Sequence, residues 1–377
     1  MLYSQCFSSL SNTSEDISEE YVSFTSPHLE FNCSTWLYFN QRSQIWYCWD
    51  DHNRNYFNRK WLSRWWNVEN NRIEHQNGCI YYLIKQSEIF HLNLSLQSVY
   101  KNFLKSYPYY PIIVFHEGDL SENDQQQLSI NINDIPITFE QIKFVPSKWQ
   151  SVHTTWYSGY YHMCQFNAIM LHKHPLITYF DYYWRLDSHS YIMTNINYDL
   201  FDFMRINHLK YGFIMVDEDA DHYLTNLWET FTDYLKHHCL SPSENIRQAQ
   251  TNFFAQYNMK IIYNNFFIVK TDIWQQPQIS NFLSHLDKVG GIYKYRWGDA
   301  PIHTLIISQF LNRNEVVRFR DIGYFHKQEF VCPNTITSEC NPKEYFLYKN
   351  ERYHHYKQGC NSHVITYPLC HYYPEKL

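Results

Sequence analysis

The sequence predicts an α/β fold with a largely parallel central sheet. From about residue 77, short apolar runs that suit buried strands alternate with longer segments whose apolar residues recur at helical spacing. This alternation is typical of strand–helix–strand units in a parallel sheet. The glycine patterns GxGxxG and GxxxxGK(S/T) do not occur in the sequence, so neither a dinucleotide-binding fold nor a P-loop is supported.

Short apolar segments are the predicted strands of this sheet. They are residues 80–84, 111–115, 142–145, 182–187, 211–216, 260–263 and 316–319. In sheets of this kind, ligands bind beyond the carboxyl ends of the strands. The polar segments 85–87, 187–189 and 217–219 follow predicted strands, so they are candidate parts of a functional site.

Segments of helical periodicity lie between these strands. The predicted helices cover residues 87–105, 161–171, 199–210 and 277–289. Gly290 and Gly291 are expected to end the fourth helix. Asp299 is expected to cap the next helix, with Pro301 in its first turn. Because a carboxylate can cap a helix and also bind a ligand or take part in a reaction, both roles stay open for Asp299.

The 377 residues are enough for one large domain or two ordinary ones. Residues 1–21, which include a serine-rich acidic segment, are expected to be disordered. Residues 22–76 receive no fold assignment, and 77–377 are predicted to form the main domain. No apolar run is long enough to cross a bilayer and the polar start is not a signal peptide, so we expect a cytoplasmic protein or a chain without its membrane anchor.

The amino-acid composition excludes some classes of function and favours others. The net charge is -6 and the cationic residues are scattered, so no nucleic-acid surface is indicated. Aromatic residues make up 19% of the chain, which suits sugar binding or equally reflects a habit of the source genome. The cysteines include no CxxC pair, which argues against a zinc ribbon. Their wide spread, with sequons at Asn12, Asn32 and Asn93, favours a secretory protein with a few disulfides.

Three segments contain residues that suit a metal ion. Asp187 lies just past a predicted strand and two residues before His189, and carboxylate and imidazole donors suit Mg²⁺ or Mn²⁺. An exposed turn is the alternative for this segment. His326 follows a Gly-Tyr turn and is either a second metal ligand or a packing residue. The acidic run 217–221 looks like a DxD metal motif but ranks below Asp187, because charged loops are usually solvated.

These segments together resemble the fungal-type Golgi α-1,2-mannosyltransferases, glycosyltransferase family 15. The blocks that carry the resemblance are YHMCQFN (161–167), YYWRLDS (182–188), NINYDLFDFMR (195–205), KYGF (210–213), LDKVGGIYKYRWGDAPIH (286–303) and DIGYFH (321–326). The block 290–303 is highly specific, and the resemblance covers roughly residues 77–335.

The resemblance implies one catalytic domain with a GT-A-type nucleotide-sugar transferase fold, in which helices flank a mixed, largely parallel central sheet. It implies GDP-mannose as the donor, a mannose-terminated glycan of a glycoprotein as the acceptor, and Mn²⁺ as the cofactor. It further implies transfer with retention of configuration. Relatives are type II membrane proteins of the Golgi lumen, although no anchor is visible in this sequence.

The resemblance also assigns roles at the donor side of the site. Asp187 falls on the family's acidic residue that contacts the metal and the diphosphate, where Glu is usual. His326 falls on the family's metal-binding histidine. Tyr160 matches a tyrosine near the donor phosphates, and Lys85 and Arg185 are expected to help bind the donor.

On the acceptor side, Asp299 matches the aspartate of the family's WGDAP block and is the expected catalytic residue. Arg296 and Trp297 are expected to bind the acceptor. Core packing is the alternative role for Trp297, because a buried indole and a sugar-stacking indole cannot be told apart from sequence.

Departures from the family pattern bear on activity. Tyr161 and Gln165 stand where the family has arginines, and Phe267 stands where it has its proposed nucleophile, a glutamate. The leading prediction is a Mn²⁺-dependent retaining α-1,2-mannosyltransferase, because front-face attack needs no enzyme carboxylate. The first alternative is a catalytically impaired family member that binds a nucleotide sugar or a glycan. The second is a cytosolic glycan-binding protein that binds no donor.

Overall fold

The structure, a computed structural model, describes residues 36–40, 45–49, 78–108, 110–132, 135–144, 158–327, 329–331, 333 and 375–376. The predicted disorder of residues 1–21 lies outside these residues. Within 22–76, the described part is an antiparallel pair of strands, β1 (Trp36–Asn40) and β2 (Ile45–Trp49).

The central sheet has eight strands. They are β3 (Gly78–Leu83), β4 (Ile112–His116), β5 (Ile137–Gln141), β6 (Tyr182–Leu186), β8 (Tyr211–Phe213), β11 (Phe266–Lys270), β12 (Val316–Phe319) and β15 (Glu375–Lys376). Their order across the sheet is β15-β12-β8-β11-β6-β3-β4-β5. All neighbours are parallel except that β11 runs antiparallel to both β6 and β8. The sheet is therefore mixed and largely parallel, as predicted.

Two smaller sheets extend from the carboxyl edge of this sheet. One has the order β14-β13-β7, from the strands β7 (Ser190–Ile192), β13 (Tyr324–His326) and β14 (Glu329–Val331). The other pairs β9 (Val216–Glu218) with β10 (Lys260–Ile262). Because β7 begins four residues after Leu186, the first small sheet lies next to the end of β6.

The helices surround the central sheet. They are α1 (Ile89–Val99), α2 (Glu122–Ile130), α3 (Ser158–Gln165), α4 (Pro175–Thr178), α5 (Leu200–Ile206), α6 (Leu227–His237), α7 (Glu244–Ala249), α8 (Pro277–Val289), α9 (Gly291–Tyr295) and α10 (Asp299–Phe310). None of these described helices is both long and apolar enough to cross a membrane.

Two hydrophobic cores lie on the two faces of the sheet. Alternate residues of β4 enter different cores, Ile113 and Phe115 on one side and Ile112 and Val114 on the other. This alternation follows from the two-residue period of a strand. The first core is covered by α3, α6, α8 and α10, and the second by α1, α2 and α5. The result is the three-layer arrangement expected of an α/β domain.

The structure corrects three sequence predictions about elements. The strand predicted over 142–145 is wrong, because the pairing with β4 ends at Gln141 and the chain leaves the sheet after Ile142. Strand β11 was not among the predicted strands. Asp299 is not an N-cap: Gly298 occupies that position, and Asp299 is the first residue of α10.

Candidate active site

The antiparallel strand β11 places its amino-terminal end at the carboxyl edge of β6. Phe266 lies opposite Leu186 in the pairing register, so the residues before β11 and after β6 meet at the same edge. Asp187 follows β6, and Asn264 precedes β11 by two residues. This is the edge at which parallel sheets bind ligands.

A buried arginine connects two carboxylates at this edge. The Nε of Arg185 donates to Oδ1 of Asp187 at 3.0 Å, and its Nη1 donates to Oδ2 of Asp299. The side-chain amide of Asn264 donates to the same Asp299 oxygen at 2.8 Å. A buried guanidinium requires such compensation, because an unpaired charge there would be strongly destabilising.

The two carboxylates differ in exposure and in the direction in which their pKa values are shifted. The Asp299 side chain is 7% exposed and that of Asp187 is 37% exposed. Burial raises the pKa of Asp299, but Arg185 and nearby donors outweigh it, so the pKa lies below its ordinary value. Desolvation raises the pKa of Asp187 above its ordinary value, and Arg185 offsets only part of that rise. Asp299 is thus a fixed anion, whereas Asp187 reaches the mouth of the site.

The Ser190 side chain contacts both His326 and the backbone of Asp187. His326 pairs with Ser190 across β13 and β7, and its Nδ1 is 3.4 Å from the Ser190 hydroxyl oxygen. That oxygen also accepts a hydrogen bond from the Asp187 backbone N–H at 3.1 Å. Burial holds the pKa of His326 well below its ordinary value, so the ring is neutral. A neutral imidazole whose Nδ1 contacts a fixed hydroxyl is oriented as metal-binding histidines are.

These donors fit a divalent cation only in part. A carboxylate and a neutral imidazole suit Mn²⁺. In the part of the chain that the structure describes, no group of three His, Cys, Asp or Glu side chains is placed to hold a metal ion. Asp187 and His326 would therefore supply two ligands, and a diphosphate and water would supply the rest.

His189, the other candidate from the sequence, stacks on His91 with ring centroids 3.8 Å apart, and burial lowers its pKa to about 4.

Tyr160 and Arg296, expected on opposite sides of the site, are in contact. The Arg296 guanidinium carbon lies 4.4 Å from the centroid of the Tyr160 ring and 3.4 Å from that of Tyr223. Such cation–π contacts hold a guanidinium in place. Burial raises the pKa of Tyr160, and the charge of Asp299 adds to the rise, which connects this contact with the Arg185 cluster.

Of the two roles considered for Trp297, the structure supports core packing. The residue is fully buried, and its indole N–H donates to the carbonyl oxygen of Thr225 at 2.8 Å. No ring face is left for a sugar. Lys85, in contrast, is exposed and precedes the short helical turn Gln86–Glu88 after β3.

Phe267 forms an apolar wall next to Arg185. It is fully buried, and it lies opposite Arg185 in the pairing of β11 with β6. Its ring stacks on Tyr211 at 5.3 Å between centroids and meets Tyr183 and His303 edge-on at 5.9 and 5.6 Å. A carboxylate at this position would face the guanidinium, whereas the phenylalanine only packs.

The two positions where arginine was expected take part in helix packing. Tyr161 is buried in the first core. The Gln165 amide donates to Asp287 at 2.9 Å and accepts from the Tyr293 hydroxyl at 2.8 Å. Neither side chain carries a charge that could face a phosphate.

Sequence reasoning missed Asn264, Ser190 and Tyr223. Asn264 could have been found from the polar pair that precedes an apolar run, had that run been assigned as a strand. Ser190 and Tyr223 carry no sequence signal, because their contacts arise from strand pairing and from the fold of the 3-10 turn Asp221–Tyr223.

Comparison with known proteins decides the family. The family model described as glycolipid 2-alpha-mannosyltransferase, glycosyltransferase family 15, matches residues 50–368. The chain belongs to this family. The predicted family is thereby confirmed.

Curated relatives in this family are fungal. The chain is 34% identical over 214 residues to the probable mannosyltransferase MNT3 of Candida albicans, a match that covers 55% of this chain and 54% of that protein. It is 32% identical over 198 residues to the alpha-1,2 mannosyltransferase KTR1 of Saccharomyces cerevisiae, with 50% of each covered. The chain thus spans about half the length of these relatives.

Solved structures confirm the fold. Core-mannan synthase A (CmsA/Ktr4) of Aspergillus fumigatus, in a Mn/GDP form, superposes with a TM-score of 0.66 at 26% identity, covering 71% of this chain and 79% of that one. The mannosyltransferase Ktr4p of Saccharomyces cerevisiae gives a TM-score of 0.65 at 24% identity, covering 70% of this chain and 74% of that one. The predicted GT-A-type fold is therefore confirmed.

Proposed function

We propose that this protein transfers mannose from GDP-mannose to a mannose-terminated glycan and forms an α-1,2 linkage with retention of configuration. The observation that carries the proposal is the meeting of Asp187 and His326 at Ser190, on the ligand-binding edge of the sheet. The Mn/GDP form of the Aspergillus fumigatus relative supports this assignment of the donor and the metal.

Asp187 and His326 are the residues that would hold Mn²⁺. When bound, the cation would neutralise charge on the departing diphosphate. Arg185 holds Asp187 from the buried side, so the carboxylate that would bind metal is positioned by its own ion pair. Ser190 orients both ligands by contacting the Asp187 backbone and the His326 ring.

In the transfer, the bond between mannose C1 and the diphosphate oxygen breaks, and its electron pair leaves with the diphosphate. The acceptor hydroxyl oxygen forms the new bond to C1, and its proton passes to the departing phosphate oxygen. This front-face course retains the configuration without an enzyme nucleophile, which Phe267 cannot be. Asp299 acts as the catalytic carboxylate that accepts a hydrogen bond from the acceptor hydroxyl, because its lowered pKa keeps it ionised.

The second candidate function is a catalytically impaired family member that binds a nucleotide sugar or a glycan. Phe267 favours it, because the ring replaces a carboxylate next to Arg185 with three aromatic contacts. For either function we propose the Golgi lumen as the location, in line with the family. Cys239 is disulfide-bonded, as suits an oxidising compartment.

Incubation of the purified protein with GDP-mannose, Mn²⁺ and α-methyl mannoside tests the proposal. We expect a disaccharide whose NMR spectrum shows an α-1,2 linkage, with one GDP released per disaccharide. Failure to form disaccharide or to release GDP contradicts the transferase for this acceptor. Binding of GDP-mannose without turnover favours the impaired member instead.

The variant Phe267→Glu distinguishes the two courses of the reaction. A gain in rate with an intermediate covalently bound to Glu would show that the position can serve double displacement, with Phe267→Gln as the uncharged control. A folded Phe267→Glu protein without such a gain supports the front-face course.

A further inference from the structure

A lysine that the proposed reaction has not used stands next to the metal-binding pair. Lys327 follows His326 directly, in the turn between β13 and β14, and its side chain is exposed. The pairing of β13 with β7 ends where His326 lies opposite Ser190, so Lys327 leaves the ladder next to the segment 187–189, which precedes Ser190. After burial and His91, the charge of Lys327 also lowers the pKa of His189, in agreement with this placement.

The backbone at Lys327 is in the left-handed region. Its φ is 52°, a conformation that glycine or asparagine adopts more readily than lysine. The turn thus directs the chain sharply after His326. A strained backbone suggests a role only where other observations point to one.

The charge of Lys327 shifts the pKa values of several groups around the site. After burial, it is the largest cause of the lowered pKa of His326. It also opposes, together with Lys85, the rise that burial causes in the pKa of Glu88, and it acts on Asp187 behind the larger effects of desolvation and Arg185. Lys85, Asp187 and Lys327 therefore lie within electrostatic range of Glu88.

The two cations nearest to Asp187 differ in their partners. Arg185 is buried and held by Asp187 and Asp299. No described carboxylate forms an ion pair with the ammonium group of Lys327, which faces solvent at the mouth. Tyr161 and Gln165, which stand where arginines were expected, contribute no charge.

We propose that the Lys327 ammonium group binds the diphosphate of the nucleotide-sugar donor and stabilises it as the leaving group, an inference that rests on the proposed function. Cleavage of the bond from C1 to oxygen adds one negative charge to the diphosphate, and a fixed cation within reach stabilises that charge. Lysine binds phosphate as a mobile point charge, which suits an exposed position in a turn. Lys327 thus supplies charge that Tyr161 and Gln165 lack.

The test compares binding of GDP and of guanosine by isothermal titration calorimetry in the presence of Mn²⁺. For Lys327→Ala we expect about tenfold weaker GDP binding, because one charge-assisted contact to phosphate is lost, and unchanged guanosine binding. Lys327→Arg keeps the charge and should bind GDP within about threefold of the wild type. The control is Lys236→Ala on α6, whose side chain is 75% exposed and paired with Asp233, and it should leave both affinities unchanged.

The outcomes separate this proposal from the one on which it rests. Unchanged GDP binding in Lys327→Ala, or an equal loss of guanosine binding, contradicts the role of Lys327 alone. A wild-type protein that binds GDP no more tightly than guanosine contradicts the proposed function and the role of Lys327 together. A KM for GDP-mannose that rises in Lys327→Ala while Lys236→Ala matches the wild type supports the role.

Discussion

Two regions of one sheet edge, on either side of Arg185, differ in polarity and in exposure to solvent. The region that we propose as the metal end, formed by Asp187, Ser190 and His326, is polar and reaches solvent through a carboxylate that is 37% exposed. The aromatic wall around Phe267 is fully buried and makes only ring contacts. We propose that the first region stabilises the leaving group, whereas Phe267, which the sequence comparison predicts to occupy the family's nucleophile position, is part of the core.

This difference between the two regions indicates which course of glycosyl transfer the site can support. A reaction that depends on leaving-group stabilisation needs the metal end, and a double displacement needs a carboxylate at the wall. Arg185 belongs to both regions, because it lies opposite Phe267 in the sheet and donates to Asp187. If the comparison is right, mutations at the two regions should affect different properties.

Removal of a metal-binding side chain should have the largest effect. Asp187→Ala and His326→Ala each remove one of two protein donors, so we expect mannose transfer to fall by at least about 1,000-fold. Mn²⁺ binding in the presence of GDP, followed by electron paramagnetic resonance, should weaken in parallel. Asp221→Ala, in the exposed acidic run, is the control and should resemble the wild type. Transfer that survives in both variants would show that the metal was assigned to the wrong residues.

Asp299→Asn should mainly reduce stability and activity together. Removing this buried anion leaves Arg185 with one partly exposed partner, and breaking a buried ion pair costs about 3–5 kcal/mol. Asp187 forms the other, more exposed ion pair of Arg185. Asp187→Asn should therefore reduce the free energy of unfolding by less than about 1 kcal/mol. Urea denaturation measures both. Equal destabilisation by the two variants would mean that the two carboxylates are not distinguished as described.

Phe267→Leu should affect stability without affecting chemistry. Loss of ring contacts in a packed core should lower the free energy of unfolding by about 1–2 kcal/mol. The rate of transfer per folded molecule should stay within about threefold, because the ring supplies no reacting group. Phe115→Leu, at a fully buried ring in the same core, is the matched control. A large loss of rate confined to Phe267→Leu would assign the ring a role in the reaction.

A half-buried carboxylate outside both regions should affect stability alone, to an extent that depends on pH. Burial raises the pKa of Glu140, on β5, to about 7, and its Oε1 lies 3.6 Å from Nε2 of His174. Between about pH 4.5 and 7 the unfolded chain loses this proton and the folded chain keeps it, so stability falls as pH rises.

Glu140→Gln cannot ionise, so the variant should gain roughly 3 kcal/mol over the wild type at pH 8 and less than about 1 kcal/mol at pH 5, because one pKa unit corresponds to about 1.4 kcal/mol. Thermal unfolding at the two pH values measures the difference, and transfer should not change at either. A gain of equal size at both pH values would show that Glu140 does not titrate as stated.

The sequence was sufficient for the fold class, because that depends on local pattern, whereas the roles of the site residues stay predictions. The apolar runs of β3 and β4 and the i, i+3, i+4 spacing of α8 mark those elements directly. Strand β11 escaped prediction, and with it the position of Phe267 opposite Arg185, because pairing between distant segments leaves no mark in the sequence. The ion pair of Asp299 and the core position of Trp297 escaped prediction for the same reason, since their partners Arg185 and Thr225 lie more than 70 residues away.

GDP release from GDP-mannose after removal and return of the metal tests the central claim most directly. The wild type should release GDP only with α-methyl mannoside present, lose this activity in EDTA, and regain it when Mn²⁺ is returned. Asp187→Ala should show no recovery over the same range of Mn²⁺. Release that is unaffected by chelation, or that recovers equally in Asp187→Ala, would contradict the assignment of the reaction to the metal end.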